Sequence, residues 1–389
     1  MGRTEPSIGR PPAAFRRDAR AKQARATLNK IIPSMLSNHP RARQGIEASE
    51  LIVPPIANAR QPGECKRGAE SLEPHAGPRL TIRATDTLTA ARSFITNPSN
   101  TTKKVAILNM ASPLSPGGGF VNGATSQEEH LCMRTTLLPA LRDEFYRLPE
   151  VGCVYTPDVL VFRSGDSDGQ DGVLDKKDRW FVDVVSAAML RLPETQVDEE
   201  TGRGEYAQAK DRELVILKMK TVMEVLNSKG IAKIVLGAWG CGAYGNPIGE
   251  IARAWRKVLA TNKGNKARKK KKSDIMRESW YGFDEVVFAI KDHGMAEAFQ
   301  SAFGDGLEWS DEDVGETESQ YGEVAFEDDK GQVEELIRRM DELRIRIDRS
   351  TNPQVKAGLE AVMEGLQKQL PGERENEGSQ DDADDDDSE

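Results

Sequence analysis

No run of about eighteen apolar residues occurs in the chain, so no segment reads as a membrane-spanning helix and no membrane partner is expected. The apolar stretch that a secretory signal needs near the N-terminus is also missing. Cysteine is scarce: Cys65, Cys132, Cys153 and Cys241 lie far apart and make no C-x-x-C pair. The four histidines, His39, His75, His130 and His293, are equally scattered. Neither pattern has the spacing of a zinc site or a disulfide framework. The expectation is therefore no metal, no cofactor, and reduced thiols in an intracellular protein of the nucleus, the cytoplasm or both. No internal repeat is apparent.

An excess of positive charge is lacking as well. The formal net charge is -9, and residues 371–389 alone carry ten acidic residues against one Arg. The remaining 370 residues are thus electrically balanced, and the tail reads as a solvated, disordered acidic string. Direct sequence-specific binding of nucleic acid is not expected from such a balance.

What the chain does contain is enough apolar material, 38% of 389 residues, for one large domain or two ordinary ones. Short, β-branched runs recur at Leu80–Arg83, Val105–Leu108, Val154-Tyr155, Val159–Phe162, Trp180–Val185, Ile234–Leu236 and Val286–Ile290. Helical patterns lie among them at 86–95, 127–141, 212–227 and 248–259, and an Ala-rich basic helix over 16–32 is expected to stop at Pro33. Residues 54–78, rich in Pro, Gly and charge, read as a loop. Strands alternating with helices predict an α/β sandwich with a largely parallel sheet, its strands buried on both faces. The lysine-rich stretch 263–272 is a solvated insertion or a nuclear-localisation signal. Helical periodicity at 333–347 and 355–370, around a Ser-Thr-Asn-Pro break, predicts a helical hairpin.

Three further motifs invite chemistry; two fail on context, and the third reads as a phosphate loop without a dinucleotide-binding fold. Gly165-Asp-Ser-Asp-Gly169 fits G-x-S-x-G but has no helix after it, and a calcium loop would need Glu where Lys177 stands. Glu128-Glu129-His130 with Cys132 cannot converge on a metal from neighbouring positions. Gly240-Cys241-Gly242-Ala243-Tyr244-Gly245 follows a strand and precedes a helix with Pro247 near its first turn, as a phosphate-cradling loop should. It lies too late in the chain, with no acidic strand end some twenty residues on, to be a dinucleotide fingerprint. A bare glycine turn is the plain alternative.

The strongest constellation spans residues 109–129. Asn109 and Ser112 stand at a strand C-terminus, where α/β folds bind ligands. Gly117, Gly118 and Gly119 let backbone approach a ligand with no side chain between, and their amides with the turn through Asn122 make an anion- or hydroxyl-binding concavity. Gln127, Glu128 and Glu129 open the next helix, where acids are common for dipole reasons alone. That reason does not account for three glycines in a row. Two adjacent carboxylates cannot flank a sugar from opposite sides, so they are read as dividing the work of gripping hydroxyls and moving a proton.

Gly-Gly-Gly, a short spacer and Gln-Glu-Glu resemble the signature of poly(ADP-ribose) glycohydrolases, and Leu108–Leu137 resembles the bacterial (microbial) branch. The likeness extends to 155–162, 182–187, 237–247 and 286–290, and covers about 15–305 without the basic insertion. It implies a macrodomain-like catalytic domain over 1–305, three-layered α/β/α on a mixed sheet, followed by an acidic linker and helical extension (306–370) and the tail (371–389). It further implies exo-hydrolysis of ribose–ribose bonds in poly(ADP-ribose), releasing ADP-ribose, with Glu129 as acid/base and Glu128 on the distal ribose. The 240–245 loop would embrace the diphosphate, with Tyr244 in place of the family's usual Phe. Implied partners are poly(ADP-ribose) and ADP-ribosylated proteins, met by a monomer. A non-hydrolysing ADP-ribose reader and a hydrolase of mono-ADP-ribosylated side chains are the alternatives.

Overall fold

The computed structural model describes residues 13–56, 77–96, 103–165, 172–198, 202–259, 280 and 282–310. Most of the expected 54–78 loop, the turn at 165–169 beyond its first glycine, the basic stretch 263–272, the helical hairpin and the acidic tail lie outside them.

The described residues begin with α1 (Ala13–Ala26), a π-helical turn (Thr27–Ile31), α2 (Ile32–Asn38) and α3 (Pro40–Glu47). Eight strands then form one sheet: β1 (Glu50–Ile52), β2 (Arg79–Arg83), β3 (Val105–Met110), β4 (Cys153–Val161), β5 (Trp180–Ala187), β8 (Lys233–Leu236), β9 (Glu285–Ala289) and β10 (Glu308–Trp309). Their order is β1-β4-β5-β3-β8-β9-β2-β10, and a separate hairpin pairs β6 (Thr195–Val197) with β7 (Gly204–Tyr206). From β5 to β10 all neighbours are parallel; β4 is antiparallel to both β5 and β1, so the sheet is mixed.

Two helical layers cover the sheet. On one face α6 (Ala209–Ser228), α7 (Ile248–Leu259) and α8 (His293–Phe303) pack Met219, Trp255 and Phe299 onto Leu108, Leu236 and Phe288. On the other, α4 (Thr87–Thr96) and α5 (Gln127–Arg134) bring Leu88, Phe94 and Leu131 against Ile107, Val182 and Val287. The central strands read as continuous apolar runs because each is covered on both sides.

Several local expectations change. Pro33 does not stop the first helix: it sits in the first turn of α2, where the missing N–H is no loss, and the chain passes into it through the π turn. The two runs expected around 154 and 159 are one strand, β4, with its register shifted between Thr156 and Val159. Pro157 cannot donate to the ladder there, and Asp158 takes φ 53° while its amide bonds the Asp183 carboxylate at 2.9 Å. The helix expected over 127–141 ends at Arg134. α3, β1, the β6–β7 hairpin and β10 are too short to show a period. The boundary drawn at 305 falls just ahead of β10, so a truncation that keeps the sheet whole ends after Ser310.

Candidate active site

The site is built on the C-terminal end of β3, between β5 and β8. There Gln127, the first residue of α5, staples strand to helix. Its Oε1 accepts from the Met110 amide at 2.8 Å, and its Nε2 donates to the Leu108 carbonyl at 2.7 Å and the Thr87 hydroxyl at 3.1 Å. Expected from the sequence to contact ligand, Gln127 is here a brace that fixes where the next two residues point.

Those residues are Glu128 and Glu129, only 2% and 6% exposed. Glu128 turns toward the strand end: Oε2 accepts from the Ser112 amide at 2.7 Å and Oε1 from Asn109 Nδ2 at 3.4 Å, with Asn109 also donating to Ser186 Oγ at 3.0 Å. Glu129 turns toward the glycine loop, where Oε1 accepts from the Gly119 amide at 2.7 Å and Oε2 from the Ser126 hydroxyl. Ser126 and Glu129 have the S-x-x-E spacing of a capping box. In that motif the Glu would reach back to the amide of the cap residue. Here it is held by a loop amide instead, and the Ser hydroxyl serves the carboxylate.

Gly118 explains the glycine run. Its φ is +55°, and a Cβ there would lie 2.8 Å from Glu129 Oε1 and 3.0 Å from Glu128 Oε2. Backbone thus touches both carboxylates where any side chain would displace them. The loop is also gripped from outside by α1. Arg17 Nε donates to the Asn122 carbonyl at 3.1 Å and Arg20 Nε to the Gly123 carbonyl at 2.9 Å. Asn122 is exposed and is used through its backbone.

Burial pushes the Glu128 carboxyl up to about 7, the amide of Ser112 and the side chain of Asn109 pulling back and the charge of Glu129 adding to the rise. Its ordinary value is 4.5. A folded-state value above the unfolded one means that the folded protein holds the proton more tightly. The resulting stabilisation is complete below the unfolded value and is lost as pH climbs through about 7. The full difference amounts to about 3 kcal/mol. Thermal unfolding of wild type minus Glu128→Gln, followed from pH 4.5 to 8, is expected to decline with pH; a flat difference would contradict the raised value.

The second glycine loop follows β8. Trp239, buried and stacked on Trp255 of α7 with ring centroids 6.3 Å apart, anchors its start. Gly240 and Gly245 take φ of +82° and +65°. Asn246, 3% exposed, holds the loop's shape: Nδ2 donates to the Leu190 carbonyl at 2.7 Å and the Gly240 carbonyl at 3.0 Å, and Oδ1 accepts from the Tyr206 hydroxyl at 2.7 Å. The amides of Cys241 and Gly245 are spent on the Ala238 and Gly242 carbonyls, at 3.1 and 2.9 Å. Those of Gly242, Ala243 and Tyr244 have no backbone partner among the described residues, and Gly242 and Ala243 are exposed. The Cys241 side chain packs on the core, where burial pushes its thiol up to about 12. Tyr244 brings its side chain to that of Ser112 on the first loop, a contact that lowers the tyrosine's ionisation against the larger upward push of burial. That contact supplies the partner its hydroxyl needs where a Phe would need none.

Asn109, Ser112, Gly117–Gly119, Glu128, Glu129 and Tyr244 are therefore brought together, with 240–245 alongside. Sequence reasoning passed over Ser126, Asn246 and Tyr206. The capping-box spacing was a signal for the first and the Asn-Pro after the glycine loop for the second. Tyr206, 40 residues from Asn246, carried none. Among the described residues no three His, Cys, Asp or Glu side chains gather as metal ligands would, and no helix is long and apolar enough to cross a membrane.

Known proteins can be set against this geometry. The family "Microbial-type PARG, catalytic domain" matches residues 35–164, a segment that contains the first glycine loop and both glutamates but ends before the second loop. No curated protein matches the chain. Among solved structures, poly(ADP-ribose) glycohydrolase from Thermomonospora curvata is similar at 22% identity and a TM-score of 0.52, over 74% of this chain and 98% of that one. Its complex with the inhibitor ADP-HPD gives the same values. The Deinococcus radiodurans enzyme in complex with ADP-ribose is 21% identical over 68% of this chain and 96% of its own, with a TM-score of 0.47. The Thermomonospora likeness shows the fold, and the match to the microbial-type PARG catalytic-domain family falls on residues 35–164, the stretch that carries the first glycine loop and the paired carboxylates.

Proposed function

We propose that this chain hydrolyses the ribose–ribose bonds of poly(ADP-ribose) from the chain end, releasing ADP-ribose, with Glu129 as the acid/base. The observation that carries the reading is the different holding of two adjacent carboxylates. Glu128 is fixed against the strand end by Ser112 and Asn109, and Glu129 faces the glycine loop through Gly119 and Ser126. Glu129 gives its proton to the glycosidic oxygen as the bond to the distal ribose carbon breaks. An oxocarbenium-like centre forms, water adds to that carbon, and the water's proton returns to Glu129. Glu128 grips the ribose hydroxyls, and the free amides of 242–244 receive the diphosphate.

The raised value of Glu128 favours a second reading, in which the roles are exchanged and Glu128 donates the proton. A general acid works best with a pKa near the operating pH. Turnover of Glu129→Gln against Glu128→Gln separates the two.

Exo-action is tested by the product distribution at early times on purified polymer. Free ADP-ribose should accumulate from the first sample, with no shorter oligomers released. Early oligomers would mean internal cleavage, and no product at all would leave a binding module.

A further inference from the structure

The hydroxyl of Tyr146 is buried and has no hydrogen-bond partner among the described residues. Such groups are rare in folded proteins, and each asks for an explanation. This one follows the short 3-10 turn Asp143–Phe145, and its segment is tied to the first glycine loop by the bond from the Leu148 amide to the Pro113 carbonyl, 3.0 Å. Pro113 directly follows Ser112, which holds both Glu128 and Tyr244. Glu128, Cys132 and Tyr244 lie within electrostatic reach of the Tyr146 hydroxyl, so it faces the same region of the fold as the site. Burial and these neighbours push its ionisation upward, which keeps it a donor at neutral pH. A second unpaired atom lies next to Glu128: Asn109 Oδ1 is buried without a partner among the described residues, while its amide nitrogen is bonded to Glu128 and Ser186.

An unpaired acceptor next to Glu128 and an unpaired donor within its electrostatic reach match the needs of a sugar hydroxyl, which both gives and takes a hydrogen bond. We infer that Tyr146 is a further ligand-binding residue of this site, donating to a hydroxyl oxygen of the ribose held at Glu128. The inference rests on the ADP-ribose reading above and adds a residue to it. Its aromatic ring belongs to the packed layer beneath α5, beside Phe145 and Leu148, so the hydroxyl can be removed without removing the ring.

Tyr146→Phe is the test, with ADP-ribose as the probe and two readouts. Affinity should fall about tenfold, the value of one hydrogen bond to a buried donor. The melting temperature should hold or rise slightly, because no protein partner is lost. An unchanged affinity, or a melting temperature that drops in step with affinity, would overturn the inference. If wild type itself fails to bind ADP-ribose, it is the functional reading that fails, and the two failures are thereby told apart.

Discussion

Glu129→Gln should lower release of ADP-ribose from polymer by about 10²–10⁴-fold while leaving ADP-ribose binding nearly unchanged. The range is what a positioned general acid ordinarily contributes. Gln keeps an oxygen for the Gly119 amide, and the Ser126 hydroxyl can turn to accept from the new amide, so the loop keeps its anchors. What disappears is the proton. Glu128→Gln should behave differently: the Ser112 amide and Asn109 Nδ2 both donate to this carboxylate, and one amide oxygen cannot accept as both carboxylate oxygens do. Weaker affinity with a smaller loss of turnover is the expected pattern. If Glu128→Gln proves the more damaging to turnover and Glu129→Gln the milder, the proton donor is Glu128.

Gly118→Ala should be nearly as damaging without touching a titratable group. The position takes φ +55°, which costs an L-residue on the order of 1 kcal/mol, and its Cβ would press on both carboxylates at 2.8 and 3.0 Å. Either the loop or the glutamates must move, and displacement by about 1 Å at a reacting centre can cost on the order of 10²-fold. Gly242→Ala provides the contrast. A Cβ there meets nothing within 4 Å and the backbone is not left-handed, so stability should be unaffected. On the proposed reading its methyl would stand where the diphosphate approaches, so ADP-ribose affinity should fall. A silent Gly242→Ala would remove the second loop from the binding site; an active Gly118→Ala would remove the argument for the glycine run.

The site was legible in the sequence where its logic is local. Three glycines ahead of Gln-Glu-Glu sit within thirteen residues, and strand–loop–helix context is enough to read them. The same holds for 240–245 between a strand and a helix. Gln127 was only half legible: its type and place were right for a ligand contact, but both ends of its amide are taken by Met110, Leu108 and Thr87. The Tyr206–Asn246 brace could not be read, because a side-chain bond across two elements leaves no period and no motif. The bend at Pro157 made one strand look like two, since apolar periodicity breaks wherever the register shifts. β10 is two residues long and α3 two turns, below the length at which a pattern rises above composition.

The grip of α1 on the first glycine loop has a consequence for how this chain is handled. A Cβ at Gly123 would come within 2.2 Å of the Arg17 carbonyl, so helix and loop meet backbone to backbone, and Arg17 and Arg20 add two bonds to the contact. Glu129 hangs from that same loop through Gly119. A protease nick, a tag packed too closely or a trimmed start anywhere in Ala13–Ala26 would therefore be felt at a carboxylate more than a hundred residues downstream. Preparations that differ only at their first residues should be compared for integrity before any difference in their rates is assigned to chemistry.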